Sequence, residues 1–383
     1  MEYRGYGRGT ERFSTLGLGG ERLIGMPETE VHAFFDAAMN AGINILDIYM
    51  PDPDVRTHIG RALLGRREQM YIQGHLGSTW QNGQYTRTRD LKQVEAAFAD
   101  LLTRLQTDYI DFGMIHYVDT EEDCARVLAP GGMLDYAVGL REQGRIRHIG
   151  LSSHNPVVAK RLVETGEIDL LLFSINPAYD MDEPGNDNID ALMGFQAFEK
   201  RSVGIEPVRT QLYALCARMG VAITVMKALG AGTLLRAESS PFGQALTVPQ
   251  CLQYTLDRPA VVSNLIGFHS VEELQDALAF YVQPEADKDY TPVITGKKLR
   301  MEGRCMYCGH CLPCPKRIDI AAVNKFIDLA KTDPVIPETV REHYTSLEHH
   351  AGDCIGCGSC EKNCPFGVPV RARMQEAVCL FGR

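Results

Sequence analysis

Eight cysteines near the carboxyl terminus limit what this chain can fold into more than any other feature. They fall in two runs, Cys305-x2-Cys308-x2-Cys311-x2-Cys314-Pro315 and Cys354-x2-Cys357-x2-Cys360-x3-Cys364-Pro365. Three cysteines at two-residue spacing can bind three corners of a cubane cluster, and a fourth cysteine before a proline reaches the neighbouring cluster. The two runs therefore predict two 4Fe-4S clusters.

The crossed arrangement assigns a set of four ligands to each cluster. One set is Cys305, Cys308, Cys311 and Cys364, and the other is Cys354, Cys357, Cys360 and Cys314. The first run is one residue shorter before its fourth cysteine than the common bacterial spacing, which can shift the crossing ligand. A pair of zinc sites is the alternative, but zinc needs four ligands and gives no reason for triple runs.

The cellular compartment decides how the cysteines are interpreted. The amino-terminal residues have no apolar stretch that could act as a signal peptide, and no run of about 18 uncharged apolar residues follows. We therefore expect a cytoplasmic protein with no membrane partner, whose thiols are reduced. The net charge of -10 and the lack of a face rich in Lys and Arg argue against nucleic acid as a partner.

A second pattern covers residues 13 to about 282, where short apolar runs alternate with amphipathic segments of helix length. The predicted strands are Ser14–Gly19, Ile43–Ile48, Met70–Gly74, Tyr109–His116, Ile146–Ser152, Leu170–Ser174, Val221–Met226 and Val262–Ile266. Eight such strand–helix units are typical of a TIM barrel, and an open doubly wound sheet is the alternative. No GxGxxG turn follows the first strand, which favours the α/β barrel.

A chain of 383 residues exceeds the size at which one core usually keeps growing, so two domains are expected. We predict a barrel over residues 1–285, a linker over residues 286–300, and a small, mainly helical, ferredoxin-like iron–sulfur domain over residues 301–383. The longest loop of the barrel, from Asp180 to Pro207, contains an apolar patch. We expect this loop to form a small helix over the mouth of the barrel.

Three segments of the barrel resemble motifs of the aldo-keto reductase family. They are Gly42-Ile43-Asn44-Ile45-Leu46-Asp47, Thr107–Asp111 continuing to Ile115-His116, and Ile149-Gly150-Leu151-Ser152-Ser153-His154. The resemblance extends over residues 10–282 and, with the cysteine runs, points to members that carry a C-terminal two-cluster 4Fe-4S domain. It implies a TIM barrel that binds a nicotinamide nucleotide at the carboxyl ends of its strands and uses a catalytic Asp, Tyr, Lys and His.

Two of these four catalytic positions match and two differ. Asp47 stands at the Asp position and His116 at the His position, whereas Asp52 replaces the Tyr and His75 replaces the Lys. Tyr49 has the strand parity of Asp47, and a histidine can act as an acid near neutral pH. We therefore predict that Asp47 and His116 are catalytic with His75 and Tyr49 as substitutes, and that ordinary carbonyl reduction is weak; the alternative is that Tyr49 and His75 are rim residues.

The resemblance also assigns candidate residues for nucleotide binding. Ser152 and Ser153 stand where the family binds the carboxamide, Met226 stands at the stacking position, and Lys227 follows it at the mouth. Gly267, His269 and Ser270 open the last helix, where backbone N–H groups can receive a phosphate. The cationic residues that the family places around a 2′-phosphate are missing, so we expect NAD rather than NADP.

These expectations combine into an oxidoreductase hypothesis. The barrel would transform a small organic substrate of the carbonyl or alcohol class while the clusters exchange single electrons with a partner such as ferredoxin or flavodoxin, as in anaerobic metabolism. The alternative is a barrel without a nucleotide that acts as a lyase, an isomerase or a binding module, with structural or sensory clusters.

Overall fold

The chain divides into two compact units. Unit 1 comprises Met1–Asp187 and Val203–Lys297, and unit 2 comprises Asn188–Ser202 and Lys298–Arg383. The computed structural model describes residues 1–181, 205–294, 305, 311–331, 335–364 and 367–383. Cys308, the predicted helix of the 180–207 loop and residues 295–300 of the predicted linker lie outside the described residues.

Unit 1 is a closed barrel of eight parallel strands, as the alternating sequence pattern predicted. In chain order the described strands are β1 (Tyr3–Gly5), β2 (Arg12–Ser14), β3 (Leu16–Gly19), β4 (Ile45–Ile48), β5 (Tyr71–Leu76), β6 (Ser78–Gln81), β7 (Gln84–Arg87), β8 (Ile110–Ile115), β9 (Ile146–Ser153), β10 (Leu170–Ser174), β11 (Ala222–Met226) and β12 (Val261–Ile266). The barrel runs β3-β4-β5-β8-β9-β10-β11-β12 and closes on β3, which excludes the open sheet.

Helices surround this barrel between successive strands. They are Glu28–Asn40, Pro53–Ala62, Leu91–Leu105, Glu121–Leu128, Met133–Glu142, Pro156–Val163, Pro177–Asp180, Pro207–Met219, Val248–Leu256 and Val271–Leu278. Several begin at a capping side chain: Asp90, Asn155 and Ser270 each accept a hydrogen bond from a backbone N–H of the first turn. Each of the eight barrel strands is followed by at least one of these helices, as the alternating pattern predicted.

The hairpin of β1 and β2 closes the amino end of the barrel. Phe13 is fully buried there, and its ring centroid lies 5.1 Å from that of Tyr71 and 5.7 Å from that of Phe112. Aromatic side chains of this size fill the end of an eight-stranded barrel. Functional polar side chains are therefore expected at the opposite end of the barrel, where the strands have their carboxyl ends.

A second hairpin, β6 and β7, follows β5 directly. Its register pairs Trp80 with Tyr85, and Ser78 Oγ donates a hydrogen bond of 2.5 Å to the carbonyl oxygen of Tyr49. The sequence pattern did not predict these two strands. The hairpin brings its side chains to the carboxyl end of the barrel because it continues from the end of β5.

Residues 285–294, where the linker was predicted to begin, form the short helices Glu285–Lys288 and Thr291–Ile294. Gln250 Nε2 donates to the carbonyl oxygen of Asp289, and the Tyr290 hydroxyl donates to Asp257. The chain therefore packs against the barrel as far as residue 294.

Unit 2 is mainly helical, as predicted. Its described helices are Ile320–Ala330, Glu338–Thr345, Ser359–Asn363 and Val370–Phe381. The ring of Tyr344 is buried and stacks on Phe381 at 4.1 Å, and its hydroxyl donates to the carbonyl oxygen of Arg383. No helix among the described residues of either unit has the length and apolar character that crossing a bilayer requires.

Candidate functional site

Four side chains form one continuous hydrogen-bonded row at the carboxyl ends of the barrel strands. Asp47 Oδ1 lies 2.8 Å from His75 Nε2, His75 Nδ1 lies 2.7 Å from His116 Nδ1, and His116 Nε2 lies 2.6 Å from the Tyr85 hydroxyl. We call Asp47, His75, His116 and Tyr85 the polar row. Its members come from β4, β5, the residue after β8, and β7.

The parallel strands bring three of the four predicted catalytic residues into this row. Asp47, His75 and His116 are each less than 5% exposed, and the backbone N–H of His116 donates to the carbonyl oxygen of Leu76. The fourth predicted residue, Tyr49, lies beside the row. Its ring is nearly parallel to that of His116, with 6.3 Å between centroids.

Burial controls the charge of His116. Desolvation lowers the pKa of this imidazole well below its usual value, and the nearby His75, Arg89 and Arg87 lower it further. His116 is therefore neutral at neutral pH, so that one ring nitrogen carries a proton and the other accepts one.

Tyr85 is the member of the row that sequence reasoning missed. It is half-buried, and desolvation raises the pKa of its phenol to about 12, so that the hydroxyl keeps its proton. Tyr85 lies in β7, outside every predicted strand, so the sequence pattern gave no signal for it. The carboxylate of Asp52, which was predicted to stand at the family's Tyr position, caps helix Pro53–Ala62 by accepting from the Val55 N–H at 2.9 Å.

Two arginines hold the loop that follows β8. Arg89 Nη2 donates to the carbonyl oxygens of His116 and Tyr117 and forms an ion pair with Asp123. The Arg87 guanidinium lies 3.9 Å above the ring centroid of Tyr117, whose φ of 52° is unusual for a residue other than glycine. These contacts fix the orientation of His116.

A third histidine, His154, lies near the row and directly follows β9. His154 Nδ1 lies 2.8 Å from Asp119 Oδ2, and the His154 backbone N–H donates to Asp119 Oδ1 at 2.6 Å. Burial alone would raise the pKa of Asp119, but the hydrogen bonds from His154 outweigh it and lower that pKa. Desolvation lowers the pKa of His154 despite its carboxylate partner. Sequence reasoning assigned no role to this pair.

The two serines predicted to bind a nucleotide lie on β9. Both are buried, and the Ser153 hydroxyl donates to the carbonyl oxygen of Val118 at 2.7 Å and lies 3.1 Å from Asp119 Oδ1. The Ser153 side chain thus serves the local structure. The Ser152 carbonyl oxygen accepts from the Val118 N–H, which ties β9 to the same loop.

Met226 ends β11 and Lys227 follows it, and both are half-buried. Lys227 has a positive φ of 62°. Nearby lies Glu21, a carboxylate that sequence reasoning missed. Burial raises the pKa of Glu21 and the charge of Asp47 raises it further, whereas the backbone N–H of Glu21 and the charge of Lys227 lower it. A Cβ built on Gly267 would lie 2.5 Å from Glu21 Oε1, so this carboxylate packs directly against Gly267.

The predicted phosphate-binding turn already contains a carboxylate. Glu273 Oε2 accepts the His269 backbone N–H at 2.7 Å, and Ser270 caps the helix by accepting from the Glu273 N–H. Glu272 adds another negative charge in the same turn. These groups satisfy the helix N-terminus internally and oppose an incoming phosphate.

The cysteines of unit 2 surround a common pocket. Its lining includes five of them: Cys311, Cys314, Cys354, Cys357 and Cys360. Among the described residues, no three His, Cys, Asp or Glu side chains already meet as a metal-binding group. The donor set nevertheless fits an iron–sulfur cluster, because thiolates are its ligands and the Gly356 N–H donates to Cys354 Sγ, a contact typical of cluster sulfurs.

Cys314 and Cys311, both from the first run, therefore share a pocket with the triplet of the second run, although the prediction assigned Cys311 to the other cluster. Cys305 and Cys364 both pack against the apolar core of unit 2. Cys308 and Pro365 lie outside the described residues, so the ligand set of the other predicted cluster is only partly described.

Comparison with known proteins assigns both parts of the chain. Residues 15–188 match the Aldo/keto reductase family. These residues contain strands β3 to β10 of the barrel. Residues 347–370, which contain the whole second cysteine run, match the 4Fe-4S binding domain. The chain thus combines an aldo/keto reductase match over residues 15–188 with a 4Fe-4S match over residues 347–370, as the motifs predicted.

Individual relatives of this aldo/keto reductase domain are distant. Protein tas of Escherichia coli (strain K12) is 31% identical over 183 residues, which cover 40% of this chain and 52% of that protein. The uncharacterized oxidoreductase YqkF of Bacillus subtilis (strain 168) is 28% identical over 172 residues, covering 44% and 54%. The chain thus spans about half the length of these curated relatives.

Among solved structures, the aldo-keto reductase AKR11C1 from Bacillus halodurans in its holo form is similar to this chain. The TM-score is 0.60 at 21% identity, with 77% of this chain and 95% of that chain covered. At this identity the likeness supports the barrel fold.

Proposed function

We propose that this protein is an oxidoreductase in which the polar row handles the proton of a small carbonyl or alcohol substrate while two 4Fe-4S clusters carry single electrons. The observation that supports this most directly is the polar row itself. A carboxylate, two imidazoles and a phenol in unbroken hydrogen-bond contact can move a proton between the barrel mouth and a buried carboxylate. Interconversion of a carbonyl and an alcohol requires such a proton.

The altered catalytic residues give this site its own chemistry. A lysine at position 75 would offer only N–H donors, whereas the His75 ring can present one donor and one acceptor nitrogen. The row can therefore hold the proton on an imidazole as well as on the Tyr85 hydroxyl. This supports proton exchange in both directions, as a reversible redox reaction demands.

The cysteine pocket supplies the proposed route for electrons. When bound, a 4Fe-4S cluster accepts or releases one electron. Cys354, Cys357 and Cys360 with Cys314 would hold one cluster, and Cys305, Cys308 and Cys311 with Cys364 would hold the other. The redox partner would be a small one-electron carrier such as ferredoxin or flavodoxin.

A nicotinamide nucleotide is the proposed hydride carrier, with NAD preferred. Ser152, Met226 and Lys227 lie at the ends of β9 and β11, where such a ring would be placed. The carboxylates of Glu272 and Glu273 at the last helix disfavour the additional phosphate of NADP.

Anaerobic assays test this function. Aldehydes, ketones and alcohols are offered with NADH, NADPH, their oxidised forms, or reduced and oxidised viologen, and turnover is compared between the wild type, His116→Ala and the matched control His58→Ala. His58 is a half-buried residue of helix Pro53–Ala62, away from the polar row. We expect turnover with NAD(H) or viologen that only His116→Ala abolishes. Brisk NADPH-dependent reduction that survives His116→Ala would contradict the proposal.

A nucleotide-free barrel acting as a lyase or isomerase is the second candidate function. The observation that favours it is the internally satisfied turn at His269, together with the inward-facing Ser153 hydroxyl. Calorimetric titration with NADH and NAD⁺ separates the two candidates. Heat of binding supports the oxidoreductase, and its absence at millimolar nucleotide supports the second candidate.

A further inference from the structure

We propose that Tyr85 is the residue that exchanges a proton with the substrate, and that the proton passes inward through His116 to His75. This inference rests on the proposed function and names its proton-transferring residue. Tyr85 is half-buried, whereas His116 and His75 are each only 3% exposed. Tyr85 is therefore the member of the polar row that a substrate in the barrel mouth can touch.

The hydrogen bonds of the row have a single direction when both imidazoles are neutral and Asp47 is ionised. A carboxylate only accepts, so His75 Nε2 carries the proton that faces Asp47. A neutral imidazole has one N–H, so His75 Nδ1 must accept from His116 Nδ1–H. This leaves His116 Nε2 as an acceptor, and the Tyr85 hydroxyl donates to it at 2.6 Å.

This direction prepares the row to remove a proton from a substrate hydroxyl. The substrate O–H bond breaks and a new O–H bond forms on Tyr85, while the original Tyr85 proton moves to His116 Nε2. The Nδ1 proton of His116 moves to His75 Nδ1. The substrate is left as an alkoxide, and His75 becomes an imidazolium beside the Asp47 carboxylate. The reverse sequence returns a proton to an alkoxide.

The surroundings explain why the charge ends on His75 rather than on His116. Arg87 and Arg89 lie near His116, and both disfavour a positive charge there. The carboxylate of Asp47 contacts His75 directly and stabilises a positive charge on that ring. Other groups that face the row are Tyr49, Tyr117, His154 and Glu21.

A structural role for Tyr85 would make different predictions. Tyr85 pairs with Trp80 across the β6–β7 hairpin, and its ring lies 6.2 Å from that of Tyr49, so it also contributes packing. Phenylalanine keeps this packing and removes only the hydroxyl. A purely structural Tyr85 would therefore tolerate Tyr85→Phe without a change in histidine protonation.

Nitrogen NMR of the histidine rings in the full chain tests the row without an activity assay. We expect His116 to be the Nδ1–H tautomer and His75 the Nε2–H tautomer near pH 8. In Tyr85→Phe the His116 Nε2 resonance should shift because its hydrogen-bond donor is lost. An Nε2–H tautomer at His116, or an unchanged resonance in Tyr85→Phe, would overturn the proposal.

Kinetics test the role of Tyr85 toward the substrate. Tyr85→Phe should lower kcat by about 10²–10⁴ with KM changed by less than about threefold, because a positioned acid or base is lost. Gln84→Ala, an exposed neighbour on β7, should keep wild-type kcat. An unchanged kcat in Tyr85→Phe would refute the assignment. If NMR shows the expected tautomers but the protein has no redox turnover, the proposed function is wrong. The proton path through His116 to His75 is then still supported.

Discussion

Nδ1 of His116 lies 2.7 Å from Nδ1 of His75, so the two buried imidazoles share one hydrogen bond. This bond joins the Asp47 half of the polar row to the Tyr85 half. Neither ring can be turned toward solvent without breaking this contact. Two rings that meet in this way cannot both present an N–H to each other. The protonation of His116 is therefore tied to folding, which gives a first prediction.

The barrel should become less stable as the pH is lowered below about 6.5. Burial lowers the pKa of His116 well below the usual 6.5, so the unfolded chain takes up a proton that the folded chain excludes. This contribution is complete above pH 6.5 and is lost as the pH falls toward the folded pKa, at up to about 1.4 kcal/mol per pH unit. Urea unfolding at pH 7.5 to 5.5, followed by fluorescence of Trp80, measures it.

His116→Gln should reduce this pH dependence, and His58→Gln should keep it. Trp80 is the single tryptophan of the chain and lies in unit 1, so its fluorescence reports on the barrel. Parallel curves for the wild type and His116→Gln would contradict the prediction.

A buried carboxylate in the short helix that follows β10 should be essential to barrel stability. Asp180 is fully buried, accepts from the hydroxyls of Tyr213 and Tyr254, and lies 3.2 Å from Arg209 Nη1. Asp180→Asn would leave the buried Arg209 charge without its counterion, at a cost of about 3–5 kcal/mol. Denaturant unfolding measures the loss. Asp257→Asn, at an exposed acceptor of the Tyr290 hydroxyl, should cost less than about 1 kcal/mol.

The fold was predictable from the sequence because each strand is a short apolar run with helical spacing on either side. The same logic placed Asp47, His75 and His116, since residues at the carboxyl ends of parallel strands converge. Tyr85 escaped because β6 and β7 are polar strands outside the barrel, and their pairing depends on the hairpin. Glu21 escaped because its position against Gly267 depends on a close approach between β3 and the residue after β12 that no local pattern encodes.

Iron analysis should separate two clusters from one. The 4Fe-4S match covers only the second cysteine run, while both runs carry the triplet spacing. We expect about eight irons and eight sulfides per chain after anaerobic purification, and about four of each in Cys357→Ser. Stoichiometric zinc without visible absorbance would rule out both clusters. Four irons per chain in the wild type would rule out the cluster predicted for the first cysteine run.

The crossed ligation predicts which cluster each fourth cysteine serves. Cys314 lines the pocket that contains Cys354, Cys357, Cys360 and Cys311. Of the two cysteines from the first run, the crossed assignment places only Cys314 in this cluster. Cys314→Ser should therefore perturb the electron paramagnetic resonance signal that Cys357→Ser also perturbs, while Cys364→Ser affects the other signal. Cys379→Ser, at an exposed cysteine outside both runs, serves as the control. Damage to the same signal by Cys314→Ser and Cys364→Ser would show that the ligands are not crossed.

Nucleotide preference should follow the charge at the last barrel helix. The His269 N–H is already occupied by the Glu273 carboxylate, and Glu272 is fully exposed in the same turn. Repulsion by two carboxylates opposes a 2′-phosphate more strongly than a free ribose hydroxyl, so the wild type should bind NADH more tightly than NADPH. Glu272→Lys reverses one charge and should raise the affinity for NADPH relative to NADH by about fivefold or more, within the usual range for a charge at a helix terminus. Calorimetric titration of both nucleotides at low ionic strength measures the ratio, with Glu238→Lys, a charge reversal outside this turn, as the control. A wild type that prefers NADPH would show that another part of the barrel receives the phosphate, because a carboxylate-lined turn cannot favour the added negative charge.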